Sequence, residues 1–148
     1  MTLKIKSGVA IPVLLMLPNM AWMLLPTPPM GSEGSAPLAL KIAENVARVA
    51  ALALPFFYSL DLKREHSTLA LAGMALALTV YYSAWGRYFI GGGSPELLSA
   101  PLVGIPSPLA FAPIAFLMVS SYLMGSRWML GTSVVFGALH VWASTLTS

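Results

Sequence analysis

The chain has 148 residues, of which 57% are hydrophobic and only 9% are charged, and its mean hydropathy is +0.80. A soluble domain of this length could not hide so much apolar surface in one core, so the composition predicts an integral membrane protein. The net charge of +3 comes from scattered basic residues, which disfavours nucleic acid as a partner, and the absence of cysteine excludes disulfides, thiolate metal sites and thiol nucleophiles.

Five apolar stretches, separated by Pro, Gly or charged residues, approach the roughly 20 residues that a helix needs to cross a bilayer. They cover residues 8–25, 37–60, 67–90, 108–124 and 128–147. We therefore predict an all-α integral membrane protein, with residues 1–148 forming a single transmembrane domain built as a five-transmembrane-helix bundle.

The first stretch has a second interpretation, because Lys4 and Lys6 before an apolar run resemble the start of a cleavable signal peptide. Pro12 and Pro18 lie inside that run, and Pro37 follows the small residues at which cleavage would occur. These prolines make a poor signal peptide, so we expect a retained helix.

The basic residues predict the orientation of the bundle, since cytoplasmic loops are enriched in Lys and Arg. The cations outside the predicted spans are Lys4, Lys6, Lys63, Arg64 and Arg127. All of them fall on one side if the N-terminus is inside and the C-terminus outside, which leaves residues 26–36 and 91–107 as outer loops. We expect a multi-pass protein of the plasma or inner membrane.

The second stretch carries an unusual group of polar residues: Lys41, Glu44, Asn45 and Arg48. Counting from Pro37, Glu44 lies about 10 Å and Arg48 about 16 Å below the outer surface, which places Arg48 near the midplane. An ionised group there requires a partner, and Glu44 and Arg48 are spaced as an i, i+4 ion pair. This pair could be purely structural, or it could belong to a binding site.

Two other stretches carry polar residues in the outer half of the membrane. Residues 75, 79, 83 and 87 on the third stretch and 133, 137, 140 and 144 on the fifth form small and polar faces that include Arg87 and His140. We predict a polar cavity open to the outer side. The expected ligand-binding residues are Lys41, Glu44, Asn45, Arg48, Tyr82, Arg87 and His140.

The second outer loop contains three consecutive glycines at 91–93 followed by Glu96 and several apolar residues. The glycines could serve as a hinge, and the apolar residues suit a segment that lies on the membrane interface. This segment could be a lid over the cavity, with Glu96 near Arg87, or a passive connector.

Three functions fit these features. The first is binding or transport of a small anionic, zwitterionic or lipid-like ligand. The second is a structural or assembly subunit, with the polar faces packed on a partner membrane protein or on a second copy of the chain. The third is a membrane enzyme that uses Glu44 or His140 as the catalytic acid or base. The sequence offers no metal-ligand spacing, and we expect no metal and no cofactor.

Overall fold

The computed structural model describes residues 7–24, 37–94 and 96–147, which form a bundle of α-helices without a β-strand. The all-α prediction is confirmed. Lys4, Lys6 and the predicted outer loop 26–36 lie outside the described residues. The helices are α1 (Ala10–Leu24, after a 3-10 turn at Ser7–Val9), α2 (Leu38–Ala53), α3 (Ser67–Ile90), α4 (Glu96–Ser99), α5 (Pro108–Met124) and α6 (Arg127–Thr147).

Three helical segments of the described chain are long and apolar enough to cross a membrane: Ser7–Leu24, Ser67–Ile90 and Arg127–Leu146. α5 is apolar but has 17 residues, and α2 has 16 residues with three charged side chains among them. Length and composition therefore identify three candidate spans directly.

The second helix is shorter than the predicted range 37–60. α2 ends at Ala53, and Leu54–Phe57 continues it as a 3-10 turn before the chain becomes extended at Tyr58. Pro55 explains this end, because proline has no N–H for the helical hydrogen bond and clashes with the preceding turn. Pro55 therefore terminates α2, whereas Pro18 and Pro113 lie inside α1 and α5.

The helices pack in the order α3, α5, α6, α2, and α1 contacts α2, α3 and α5. Gly137 allows α5 and α6 to approach closely, since a Cβ atom there would lie 2.8 Å from Cγ2 of Ile114. Phe116, Leu117 and Leu123 on α5 and Met129 on α6 are at most 1% exposed. The most tightly packed part of the core therefore lies along α5.

One end of the bundle, which we call the basic end, consists of residues 58–66 and 125–127. Here the Gly8 N–H donates to the carbonyl of Tyr58 at 3.2 Å, and the Asp61 N–H donates to that of Leu123 at 2.8 Å. Arg64 stacks on Tyr122 with its guanidinium carbon 4.5 Å from the ring centre. These contacts tie the start of α1, the end of α2 and the α5–α6 turn together.

The opposite end, which we call the loop end, consists of residues 91–107. α4 forms a single helical turn there, and a tight turn follows in which Leu102 and Ile105 exchange two backbone hydrogen bonds. Val103 and Gly104 between them both have positive φ, as in a type I′ turn. This turn holds the Val103 side chain 94% exposed.

α2 has the reverse of the amphipathicity found in a water-soluble helix. Ile42, Val46 and Val49 are 55%, 64% and 66% exposed, while the Glu44 residue is 8% exposed and faces the bundle. In water such a helix would turn its apolar side inward. The arrangement fits a helix whose surroundings are hydrocarbon.

Candidate functional site

A carboxylate shared between two helices forms the centre of the candidate site. Oε1 of Glu44 accepts a hydrogen bond from Nη2 of Arg48, one turn further along α2, at 2.5 Å. The same oxygen lies 2.7 Å from Nδ1 of His140 on α6. The Glu44 side chain is only 11% exposed, so its charge depends on these two partners.

Phe136 supports both basic partners from one side. Its ring stacks on the His140 imidazole with 5.4 Å between ring centres, and the Arg48 guanidinium carbon lies 5.9 Å from the centre of the same ring. Phe136 and His140 are four residues apart on α6, which places their side chains on one face. The aromatic ring thus fixes the plane of the imidazole and offers a cation–π contact to Arg48.

Arg48 and His140 border a cavity of about 960 Å³ among α1, α2, α3, α5 and α6 and beneath α4. This volume is in the upper range of small-molecule sites. The lining residues are Leu15, Met16, Asn19, Arg48, Leu52, Tyr81, Trp85, Leu98, Ser99, Ser107, Leu109, Ala110, Pro113, Leu117, Phe136, His140 and Ser144. Most of the wall is apolar, and α2 contributes a positively charged side chain, that of Arg48.

The cavity lies toward the loop end. The inward face of α6 is tightly packed in its first half and lines the cavity in its second half. Ser133 is fully buried and its hydroxyl donates to the carbonyl of Met129, and Gly137 packs on Ile114. One turn further, His140 and Ser144 line the cavity instead. The polar face predicted on the fifth stretch is therefore a packing surface in its first half and a cavity wall in its second half.

A second polar group lies on the opposite wall. Nδ2 of Asn19 donates to the hydroxyl of Tyr81 at 2.8 Å, and that hydroxyl lies 3.0 Å from the carbonyl oxygen of Leu15. Trp85, one turn along α3, has a buried indole N–H that meets no acceptor at hydrogen-bonding geometry among residues 7–24, 37–94 and 96–147. Asn19, Tyr81 and Trp85 therefore give the cavity polar groups on α1 and α3.

Arg87 does not line the cavity. Its Nη2 donates to the carbonyl of Ala100 at 2.8 Å and to that of Leu97 at 3.4 Å, and its Nη1 donates to that of Pro101 at 3.1 Å. These carbonyls belong to the end of α4 and the residues just after it. Arg87 thus fastens the α4 segment to α3 through backbone carbonyls, and not through the Glu96 carboxylate.

Three further residues expected to bind a ligand also lie away from the cavity wall. Lys41 is half-buried on α2, and Asn45 is exposed on the same helix. The Tyr82 side chain is exposed, and its hydroxyl donates to the carbonyl of Leu14 at 2.7 Å. Of the seven predicted ligand-binding residues, the structure brings Glu44, Arg48 and His140 together.

The face of α3 that borders the cavity differs from the polar face that the sequence suggested. Ala75, Thr79 and Ser83 are exposed, and the Thr79 hydroxyl donates to the carbonyl of Ala75 in its own helix. The side turned inward carries Tyr81 and Trp85. Bulky aromatic residues with helical spacing were the better signal for the buried face.

The chemistry available at the site is that of a carboxylate, a guanidinium and an imidazole. If the proton of a neutral His140 is on Nδ1, it is donated to Glu44, and Nε2 is left as a hydrogen-bond acceptor and base. Bonding to Glu44 uses Nη2 of Arg48, whose side chain is 43% exposed, and the guanidinium has further N–H donors. Among the described residues, no three His, Cys, Asp or Glu side chains are grouped as for a metal ion.

Comparison of the chain with protein-family models, with curated proteins and with solved structures gives no significant match. The function must therefore be argued from the cavity and from the residues around it.

Proposed function

We propose that the chain crosses the membrane five times, with α1, α2, α3, α5 and α6 as spans, and that it binds or transports a small anionic or zwitterionic, lipid-like ligand. The observation that carries the ligand proposal is the position of Arg48 and His140 on the wall of a large and mostly apolar cavity. A cation with unused donors attracts an anionic group, and the apolar wall accepts a hydrocarbon part.

The reversed amphipathicity of α2 supports its assignment as a span despite its three charged residues. Glu44 and Arg48 neutralise each other inside the bundle, while the outward face is hydrophobic. The apolar composition of α5 and its packing between α3 and α6 support its assignment as a span. A helix that is surrounded by other helices can cross a thin part of the bilayer with fewer than 20 residues.

We further propose that the basic end is cytoplasmic and that the loop end faces outward. Lys63, Arg64 and Arg127 lie at the basic end, and a bias of this kind sets the orientation of membrane helices. The cavity would then open toward the outer side, under α4. The natural absence of cysteine allows a clean test by single substitutions, with Val103→Cys at the loop end and Leu62→Cys at the basic end.

A membrane-impermeant maleimide added to intact cells should label Val103→Cys and leave Leu62→Cys unlabelled until the cells are opened. Both positions are exposed, at 94% and 57%, so access is determined by the membrane. The reverse pattern would refute the orientation, and labelling of both variants in intact cells would refute the odd number of spans between them.

Ligand binding is tested by the thermal stability of the purified protein in a nonionic detergent with dodecyl phosphate or dodecanoate added. A ligand at about 100 times its Kd raises the free energy of unfolding by about 2.7 kcal/mol, which is readily seen in a melting curve. We expect the wild type to be stabilised and the double variant Glu44→Leu/Arg48→Leu not to be. Arg127→Gln, which removes a cation from the basic end, is the matched control and should respond like the wild type.

If neither amphiphile stabilises the wild type, or if both stabilise the double variant equally, the binding proposal is wrong. The double variant removes both charges together, so it leaves no unpaired ion in the bundle. Its melting temperature without ligand shows whether it is folded.

Catalysis is the second candidate, and the 2.7 Å contact between Glu44 and His140 favours it. This contact orients the imidazole as carboxylates do in many hydrolytic sites, so that Nε2 could activate a water molecule. Hydrolysis of a lipid-like ester by the wild type, lost in His140→Gln, would support it. If the wild type binds such esters but does not hydrolyse them, the catalytic proposal is wrong and binding remains the proposed function.

A structural subunit, in a homo-oligomer or with a partner membrane protein, was the remaining interpretation. It requires the polar faces of α2 and α6 to lie on the outer surface of the bundle. Glu44 faces the interior and His140 borders the cavity, so these two residues support an internal site.

A further inference from the structure

A hydrophobic groove of about 390 Å³ runs between α1 and α2 on the surface of the bundle. Its sides include Val13, Leu17 and Met20 from α1, Val49 from α2 and Phe56 from the 3-10 turn after α2. These five side chains are all exposed, between 49% and 66%. The groove offers no hydrogen-bonding side chain, so a polar or charged group would be unfavourable inside it.

The groove adjoins the cavity. Met16 on α1 and Leu52 on α2 line both spaces and stand between them. Arg48 is one helical turn from Leu52 in the direction of the loop end, on the cavity side. A molecule that passes between Met16 and Leu52 would therefore contact the guanidinium at one end and the groove at the other.

We infer that the ligand is a single-chain anionic amphiphile of the membrane, whose charged head lies at Arg48 and His140 and whose hydrocarbon chain lies in the α1–α2 groove. This inference rests on the proposed binding function and specifies its ligand class. From Arg48 to Phe56 is eight residues along α2 and the 3-10 turn that follows it, or about 12 Å, so the groove accommodates a medium or long chain. The charge at one end and the apolar walls at the other determine the direction in which the molecule lies.

α1 and α2 make few contacts with each other, and the groove lies between them. A site entered from the side allows an amphiphile to leave the bilayer without exposing its chain to water. Ordinary bilayer lipid could cover the groove as well, but its contact with the groove would not depend on a charge at Arg48. That difference separates the two occupants experimentally.

The test compares dodecyl phosphate with butyl phosphate, which has the same head but a chain too short to reach along the groove. Each buried methylene strengthens binding about fourfold, so the wild type should bind dodecyl phosphate more than a hundredfold more tightly. Ala53→Trp fills the groove from a position that does not line the cavity. We expect it to weaken dodecyl phosphate at least tenfold more than butyl phosphate.

Val46→Trp is the matched control, because Val46 is exposed on the same helix and lines neither space. It should leave the ratio of the two affinities as in the wild type. If the wild type binds butyl phosphate as tightly as dodecyl phosphate, or if Ala53→Trp leaves the ratio unchanged, the groove is not the chain site. If the wild type binds neither phosphate, the binding function and the inference are both wrong.

A second measurement uses the unmodified protein, in case Ala53→Trp does not fold. Dodecyl phosphate with a diazirine near the end of its chain should cross-link to the segments 12–20 and 49–56 on irradiation. Excess dodecyl phosphate should suppress these adducts. Adducts confined to residues outside these segments, or adducts that persist in the presence of excess dodecyl phosphate, would overturn the inference.

Discussion

The two ends of the bundle satisfy their polar groups in different ways. Toward the basic end, the buried hydroxyls of Ser120, Ser121 and Ser133 donate to carbonyls three or four residues earlier in their own helices. Toward the loop end, Glu44 bonds to His140 across two helices, and Asn19 bonds to Tyr81 across two others. In these examples, the serines that bond within one helix lie where helix packing is dense, and the pairs that bond between helices lie beside the cavity.

The largest effect is expected from Glu44→Leu, which leaves Arg48 inside the bundle without its carboxylate. Removing one partner of a buried ion pair typically lowers the free energy of unfolding by about 3–5 kcal/mol, and the 43% exposure of the Arg48 side chain reduces the expected loss to about 2–4 kcal/mol. The double variant Glu44→Leu/Arg48→Leu should recover most of this loss, because it removes both charges and leaves no unpaired ion in the bundle. Unfolding in detergent measures both, and a double variant as unstable as the single one would show that the charge balance is not the cause.

A smaller effect is expected from Gly8→Ala, which disturbs the basic end. The new Cβ atom would meet the carbonyl oxygens of Pro55 and Tyr58 far inside van der Waals contact, and backbone atoms cannot rotate away. We expect a loss of about 1–3 kcal/mol in the free energy of unfolding. Gly86→Ala is the control, since its Cβ atom would have no neighbour within 4 Å and alanine favours a helix. Equal destabilisation by both substitutions would contradict the close packing at Gly8.

The next effect is local, and it tests the attachment of α4 to α3. Arg87→Gln removes the cation that donates to three carbonyls of residues 97–101. Loss of about 1.5 kcal/mol from this attachment would speed amide hydrogen exchange there about tenfold. Exchange measured by mass spectrometry should rise in residues 96–107 and stay unchanged at the basic end. Unchanged exchange in 96–107 would mean that Arg87 does not hold this segment.

The smallest effects distinguish two neighbouring tyrosines on α3. Tyr81→Phe and Tyr82→Phe each remove one hydroxyl that bonds to α1, for an expected loss of about 1 kcal/mol. Only Tyr81 lines the cavity, so only Tyr81→Phe should alter the affinity for dodecyl phosphate. Melting temperatures and a binding isotherm test both points, and an effect of Tyr82→Phe on affinity would place the ligand elsewhere.

Much of the fold was predictable, because apolar runs and punctuating Pro and Gly residues mark helices strongly. The five long helices follow the predicted stretches, although α6 begins one residue earlier, at Arg127. The short helix α4 lies in the predicted loop 91–107, and the largest difference is the end of α2. A proline near the end of an apolar run can kink a helix or stop it, and the sequence does not distinguish the two. Here Pro55 stops the helix, and the chain becomes extended at Tyr58.

The site was predictable where the spacing of residues within one helix determines the contact. Glu44 and Arg48 are such a pair, and the four-residue spacing of Phe136 and His140 could have revealed the aromatic support of the imidazole. Which face of a helix turns inward is harder to predict, since small polar residues can bond to their own backbone and lie on the outside of the bundle, as Thr79 does. For that reason the sequence favoured Tyr82 and Arg87 over Tyr81 and Trp85.

The sharing of Glu44 between two helices also has a consequence for biosynthesis. Glu44 and Arg48 can pair as soon as α2 coils, so this helix can enter the bilayer without an uncompensated charge before its neighbours exist. His140, by contrast, is on the last of the described helices to leave the ribosome. The second bond to Glu44 therefore forms only when α6 docks, so the order of synthesis keeps the cluster of Glu44, Arg48 and His140 incomplete until the bundle has assembled.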